Sequence, residues 1–236
     1  MARRVARLTL DTLADLPEPA RSCLQWELDP VSRHRLPDHE SALAEKEAWV
    51  SRVLLDWGSC GRVVYVDDRP AGFVIYAPPA YLEGTASLPT APASDDAVQL
   101  AAAQVFEEYA GAGLGRLLMQ EMVKDLVQRG GIRAVEAFGS TGARSRRATA
   151  DHDCLLPVEF LQRVGFKTHR AHPRSPRMRL ELKSVLTWRD EVEAALERLV
   201  GAVRPSRAAR PVVGREASVG RHARLRRPRL GAGQPM

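Results

Sequence analysis

Tyr109-Ala-Gly-Ala-Gly-Leu-Gly-Arg116 stands between an apolar run, Val98–Val105, and a long periodic segment, Gly113–Arg129. The run reads as a strand. In the segment, Leu114, Leu118, Met122 and Leu126 recur every fourth residue and Leu117 widens the stripe, which predicts an amphipathic helix. Gly130-Gly131 ends it. Two familiar nucleotide motifs fail here on spacing. A dinucleotide fingerprint needs glycine where Arg116 stands, and a P-loop needs a Lys-Ser/Thr pair that never follows. The physical content of the turn survives that exclusion. Glycines at 111, 113 and 115 leave successive backbone N–H groups unobstructed at the positive end of a helix, which favours a bound anion such as a pyrophosphate. Arg116, one turn in, adds a charge-assisted contact to phosphate.

Outward from this unit the elements alternate. Residues 5–9 read as a first strand, followed by helical segments near Pro19–Glu27 and Ser41–Trp57. The second of these has Ser41 as its expected N-cap, Gly58 just past its end and Leu43, Val50, Val53, Leu54 and Trp57 on one face. Arg62–Val66 and Gly72–Ala77 flank the turn Asp67-Asp-Arg-Pro70 as a hairpin. Pro78–Ala97 carries four prolines and no periodicity, so it reads as a long loop over the site where an acceptor would enter. Beyond the motif helix come a strand over Ile132–Phe138, a second loop to Leu156, and a short helix from Pro157 closed by Gly165. Lys167–Ala171 and Arg177–Leu182 then form a hairpin in which Met178, Leu180 and Leu182 alternate inward. Thr187 and Asp190 open a last helix through Val200, with Trp188, Val192, Leu196 and Leu199 on one stripe.

A strand, two acidic residues and an aromatic, then G-x-G-x-G opening a helix, resembles the acyl-CoA-binding motif of the GCN5-related N-acetyltransferase (GNAT) superfamily. That signature, Q/R-x-x-G-x-G/A, maps onto Ala110-Gly-Ala-Gly-Leu-Gly115, with Ala110 replacing the leading Arg or Gln. The order of elements over residues 5–183 agrees, and Glu159-Phe-Leu-Gln-Arg-Val-Gly-Phe166 looks like the family's closing helix–strand turn. The Ala- and Arg-rich composition is similar to that of actinobacterial members. The resemblance implies an α/β GNAT-type acyl-CoA N-acyltransferase fold: a central, mostly antiparallel mixed sheet flanked by helices. With the last helix and the aperiodic, Pro- and Arg-rich end read above, the chain divides into a domain of this kind at 1–183, a C-terminal helix packed on it at 184–202, and a basic disordered tail at 203–236. The resemblance also implies an acyltransferase moving an acetyl group from acetyl-CoA to a primary amine of a small molecule or peptide. The pantetheine would pair with backbone near Gln104 and Val105, and the pyrophosphate would rest on the turn formed by Gly111, Ala112, Gly113, Leu114, Gly115 and Arg116.

The acid and base are less legible. Many family members carry a tyrosine in the closing helix; aligned on Gly165, that position is Leu161. The motif strand offers Gln99 and Ala97 where a glutamate often stands, and Asp95 and Asp96 precede it, read as a solvated loop. Cys154, His152, Tyr81 and Asp96 are the remaining candidates for proton transfer or nucleophilic catalysis. No metal site is expected, because no second Cys/His pair stands at ligand spacing from Asp151-His-Asp-Cys154. Arg144, Arg146 and Arg147 are read as a solvated loop in reach of a CoA 3′-phosphate. His34, His39, His169 and His172 read as surface residues.

Composition bounds the rest. The 236 residues hold 35 Lys plus Arg and 29 Asp plus Glu, a net charge of +6. Nine arginines and one acid lie after residue 202, so the tail carries +8 and the body −2. The basic character belongs to the tail, where salt-sensitive contact with nucleic acid is a rival function. A catalytically silent acyl-CoA-binding or regulatory module is another, motivated by Ala110 and Leu161. Three cysteines, no apolar leader and no membrane-length apolar stretch point to a cytoplasmic protein with no membrane partner. No feature of the sequence sets an oligomeric state.

Overall fold

A computed structural model describes residues 2–18, 20–142 and 155–183. The elements are β1 (Arg3–Arg7), α1 (Leu10–Ala14), α2 (Pro30–His34), α3 (His39–Trp57), β2 (Gly61–Val66), β3 (Arg69–Ala77), β4 (Ala97–Val105), α4 (Leu114–Arg129), β5 (Ala134–Ser140), β6 (Leu156–Pro157), α5 (Val158–Arg163), β7 (Lys167–Arg170) and β8 (Arg177–Glu181). The strands run in the order β1-β2-β3-β4-β5-β8-β7, with β6 attached to β5. Pairings are antiparallel except β4 with β5 and β5 with β6. The expected mixed, mostly antiparallel sheet is present. The last helix and the basic tail read from the sequence lie outside the described residues. No described helix is long and apolar enough to cross a membrane.

The N-terminal region departs from expectation. No helix covers 20–28; those residues form turns that bury Ala20, Leu24, Trp26 and Glu27. The backbone there is held from outside, since Lys46 on α3 donates to the Cys23 carbonyl (2.9 Å) and pairs with the Glu27 carboxylate. Local capping decides where the helices start instead. Thr9 and Thr12 cap α1 reciprocally, and Asp29 accepts from the amides of Val31 and Ser32 with Pro30 in the first turn of α2. The N-cap of α3 is Asp38, whose carboxylate accepts from the Ser41 amide (2.8 Å); Ser41 lies inside the helix. Gly58, with φ +84°, ends α3 as anticipated.

Each face of the sheet carries its own core. On one, α4 packs Leu114, Leu118, Met122 and Leu126 against Val64, Val74, Val98, Leu100, Val135 and Ala137. On the other, Trp49, Val50 and Val53 of α3 cover Val63, Tyr65, Phe73 and Ile75. Burial of each such side chain contributes about 1.5–3 kcal/mol. A charged network ties β2 to α4 within the first layer. Asp125 pairs with Arg62 (2.8 Å) and Arg129 (3.1 Å) and accepts from the Tyr76 hydroxyl (2.9 Å). Burial raises the Asp125 carboxyl, and Arg62, Tyr76 and Arg129 more than offset it, leaving its pKa below the ordinary value.

Candidate active site

The parallel pair β4–β5 is short. Ala97, Val98 and Gln99 face Ala134, Val135 and Glu136, and there the pairing stops. Beyond it β4 stays bound to β3 through Ala102–Val105, while β5 stays bound to β8 as far as Phe138. The registers Ile75↔Ala102 and Tyr76↔Leu100 leave Ala101 unopposed, a bulge in β4 at the point where the strands part. The edge of β4 after Gln99 therefore presents backbone N–H and C=O groups to an open gap. Gln104 and Val105 lie on that stretch.

The glycine turn stands at the wide end of this gap. Gly111 (φ +78°) and Gly113 (φ +77°) are left-handed, a conformation that glycine adopts without strain, and a Cβ on either would meet nothing within 4 Å. Gly113 caps α4 without a side-chain bond. The amides of Leu114, Gly115 and Arg116 are first-turn donors that have no acceptor inside the helix. Gly115 has a different role: a Cβ there would sit 3.3 Å from Phe160 of α5 and 3.8 Å from Val105 of β4. The absence of a side chain lets the start of α4 settle between the far end of β4 and the helix α5. Arg116 is exposed beside it.

The loop 78–96 is pinned rather than structureless. It contains two 3₁₀ turns, Pro79–Tyr81 and Glu83–Ser87. Trp49 Nε1 donates to the Tyr81 carbonyl (2.7 Å), the Gly84 amide to Trp26 (2.9 Å), and the Thr90 hydroxyl to the Ser175 carbonyl (2.9 Å). Tyr81 places its hydroxyl 3.4 Å from Asp56 of α3, and burial together with that carboxylate raises the phenol. Asp96, expected as a solvated loop residue, is partly exposed but held in an ion pair. Both its oxygens accept from Arg179 (2.9 Å each), and that bond holds its carboxyl below the ordinary value. Leu161, at the position of the missing tyrosine, is fully buried in the α4-side core. Cys154, His152, Arg144, Arg146 and Arg147 lie outside the described residues. No group of three metal-binding side chains occurs among the described residues.

A cluster not foreseen from sequence closes the narrow end of the gap. Glu136, 0% exposed, accepts from the Ser94 amide (3.0 Å), the Ser94 hydroxyl (2.7 Å) and Arg179 (3.0 Å). Arg177 Nε lies 3.4 Å and His169 Nε2 3.8 Å away. His169 thus faces a carboxylate, His39 lies 3.7 Å from Glu18, and the His172 Nδ1 accepts from the amides of Arg174 and Ser175. Burial raises the Glu136 carboxyl, and the Ser94 and arginine contacts outweigh it, so it remains an anion with a lowered pKa. A signal for it was present: in Ala134-Val-Glu-Ala-Phe138 the charge sits at the centre of an otherwise apolar strand.

The model of the acetyltransferase (GNAT) family matches residues 21–152, more than half of the chain. No curated protein matches. Among solved structures, the chain is similar to a protein assigned to the GNAT acetyltransferases from Desulfovibrio desulfuricans (24% identity, TM-score 0.43, covering 77% of this chain and 99% of that one). It is also similar to the PaiA N-acetyltransferase of Thermoplasma acidophilum in complex with coenzyme A (14%, TM-score 0.48, 77% and 99%). A third is the loading GNATL domain of CurA from Lyngbya majuscula (16%, TM-score 0.48, 78% and 100%).

Proposed function

The chain belongs to the acetyltransferase (GNAT) family, and from that premise we propose how its cleft moves an acetyl group from acetyl-CoA to a primary amine. It is an acyltransferase enzyme, and acetyl-CoA is its donor. The observation carrying the assignment of roles is the uncapped, glycine-led start of α4, lodged between Val105 and Phe160 where β4 and β5 stand apart. In this reading the pyrophosphate takes the amides of Ala112 through Arg116, with Gly111 and Gly113 supplying the left-handed turn. The pantetheine runs along the free edge of β4 and pairs with backbone at Gln104 and Val105.

The thioester then lies near the bulge at Ala101, where an unpaired β4 amide holds the carbonyl oxygen. The amine nitrogen lone pair forms the C–N bond, the C–S bond breaks, and the sulfur leaves as a thiolate. Holding the two reactants at contact supplies about 7–11 kcal/mol of the barrier. The fully buried Leu161 contributes no proton to the thiolate; the amine, neutral when it attacks, loses one proton as the amide forms, and the thiolate gains one, through water or through Tyr81, Cys154 or His152. Asp96 and Glu136, both kept anionic by arginines, shape the narrow end. Tyr81, Cys154 and His152 stay as candidates for the acid. The cytosol is the proposed compartment, since the cysteines are few and Cys60 is a free buried thiol whose pKa is pushed up to about 12 by burial.

Release of free thiol from acetyl-CoA across a panel of peptides, polyamines and aminoglycosides tests the reading. Turnover with at least one amine supports it. Tight CoA binding with no turnover would favour a silent acyl-CoA-binding module, to which Leu161 already gives some colour. For the tail, truncation after Val203 is expected to leave turnover unchanged, and loss of salt-sensitive nucleic-acid binding on truncation would establish a second role there.

A further inference from the structure

Burial along β4 changes within one residue. Ala97 through Ala101 are buried, Ala102 and Ala103 are partly exposed, and Gln104 is exposed. The opening therefore stops at Ala101, two residues short of the last cross-strand pair, Gln99 with Glu136. In the plane of the sheet the paired backbones close it. On one face Val98, Leu100, Val135 and Ala137 are buried in the core under α4. Side chains alternate along a strand, so Gln99 and Glu136 close the other face, 1% and 0% exposed.

These two side chains are held differently. Glu136 is fixed by charged hydrogen bonds to Ser94 and Arg179. Gln99 is neutral, and its Oε1 lies 3.4 Å from the hydroxyl of Thr85 in the 3₁₀ turn Glu83–Ser87. Thr85 is itself buried and donates to the Leu82 carbonyl (2.8 Å), so the loop backs Gln99 directly. The donor approaches this end with its acyl group leading. With pyrophosphate on the first turn of α4 and pantetheine at Gln104 and Val105, CoA runs back along β4, and an extended thioester carries the acyl chain onward from Ala101 toward Gln99. Two residues of strand, about 7 Å, separate those positions. A bonded methyl at about 1.5 Å and van der Waals contact at about 4 Å occupy most of that length.

We infer that Gln99 is the acyl-chain stop of the donor site: it admits an acetyl group and excludes chains of butyryl length. The inference rests on the acetyltransferase reading above and concerns which acyl-CoA that site takes. Two further methylenes meet the paired backbones and must bend onto one sheet face. Under α4 they meet a filled core, and on the other face they have to push the Gln99 carboxamide against Thr85 or Glu136. Either route overpacks an enclosed site. Gln99 is the side chain whose loss opens room there, because Glu136 is needed by the arginine cluster.

Calorimetric titration with CoA, acetyl-CoA, propionyl-CoA and butyryl-CoA tests this without an acceptor amine, on wild type, Gln99→Ala and Gln99→Leu. Wild type is expected to bind acetyl-CoA as tightly as CoA, and butyryl-CoA more weakly by about tenfold or more, the usual weight of overpacked methylenes. Gln99→Ala removes most of that difference. Gln99→Leu, close to glutamine in volume, keeps it. Wild type that binds butyryl-CoA as tightly as acetyl-CoA overturns the stop, as does a folded Gln99→Ala that keeps the whole difference or a Gln99→Leu that loses it. Where Gln99→Ala does not fold, the wild-type series and Gln99→Leu decide the outcome. CoA that fails to bind at all overturns the acetyltransferase reading, whereas CoA that binds with no effect of chain length overturns the role of Gln99 alone.

Discussion

Gln99 and Glu136 face each other as the last cross-strand pair before β4 and β5 part, and both are fully enclosed. A carboxylate at that apex is stabilised only by what surrounds it: Ser94 from the loop, Arg179 and Arg177 from β8. Glu136→Ala leaves two arginines facing an empty site. Its expected cost is about 3–5 kcal/mol of folding stability, the usual effect of breaking a buried ion pair from one side, read by urea unfolding. A loss under about 1 kcal/mol would show that the cluster does not hold the two halves of the sheet together.

Asp125 makes a pH prediction. Its carboxyl is lowered in the folded state, because Arg62, Tyr76 and Arg129 outweigh its burial. A lowered carboxyl contributes stability above its unfolded value, about 4, and that contribution disappears as the pH falls through the folded value. Stability of the wild type should therefore decline from about pH 5 downward. Asp125→Asn should be less stable at neutral pH and show a flatter decline in acid. Parallel acid profiles for the two proteins would contradict the network.

Gly115 tests the seat of α4. A valine there must displace Phe160 or Val105, so Gly115→Val should widen the contact and raise the CoA Kd about tenfold, with a stability loss of about 1–3 kcal/mol from overpacking. Arg116→Ala, on the exposed side, should raise the Kd a few-fold and flatten its salt dependence, with unfolding unchanged. Unaltered CoA affinity in both variants would move the pyrophosphate elsewhere.

Much of this was legible in the sequence, and the exceptions share a cause. The α4 stripe, the glycine turn and the inward Met178, Leu180 and Leu182 obey local periodicity, so they could be read directly. Residues 20–28 carry a helical pattern, but Lys46, some twenty positions away, bonds the Cys23 carbonyl and holds them as turns. The bulge at Ala101 is set by how β3 and β4 register, which no local pattern encodes. Asp96 looked like a solvated loop residue because its partner, Arg179, lies 83 positions away. Ser41 resembled an N-cap three residues late, since Asp38 has the same chemistry and captures the Ser41 amide.

Leu161 sharpens the catalytic question. It is fully buried among the residues under α4, so a larger polar side chain there has neither room nor a path to the sulfur. Leu161→Tyr is expected to lose about 1–3 kcal/mol by overpacking and an unpaired hydroxyl, without raising kcat. A rise in kcat would mean that this position reaches the gap and that the enzyme merely lacks its acid.

The central claim is that the donor lies in the opening between β4 and β5 with its pyrophosphate on the first turn of α4. A crystal structure of the protein with CoA tests it most directly. The account predicts phosphate oxygens within hydrogen-bond distance of the amides between Ala112 and Arg116, and pantetheine amides paired with the β4 edge near Gln104 and Val105. CoA bound with its pyrophosphate away from the Gly111–Arg116 turn, or outside the β4–β5 gap, would contradict it.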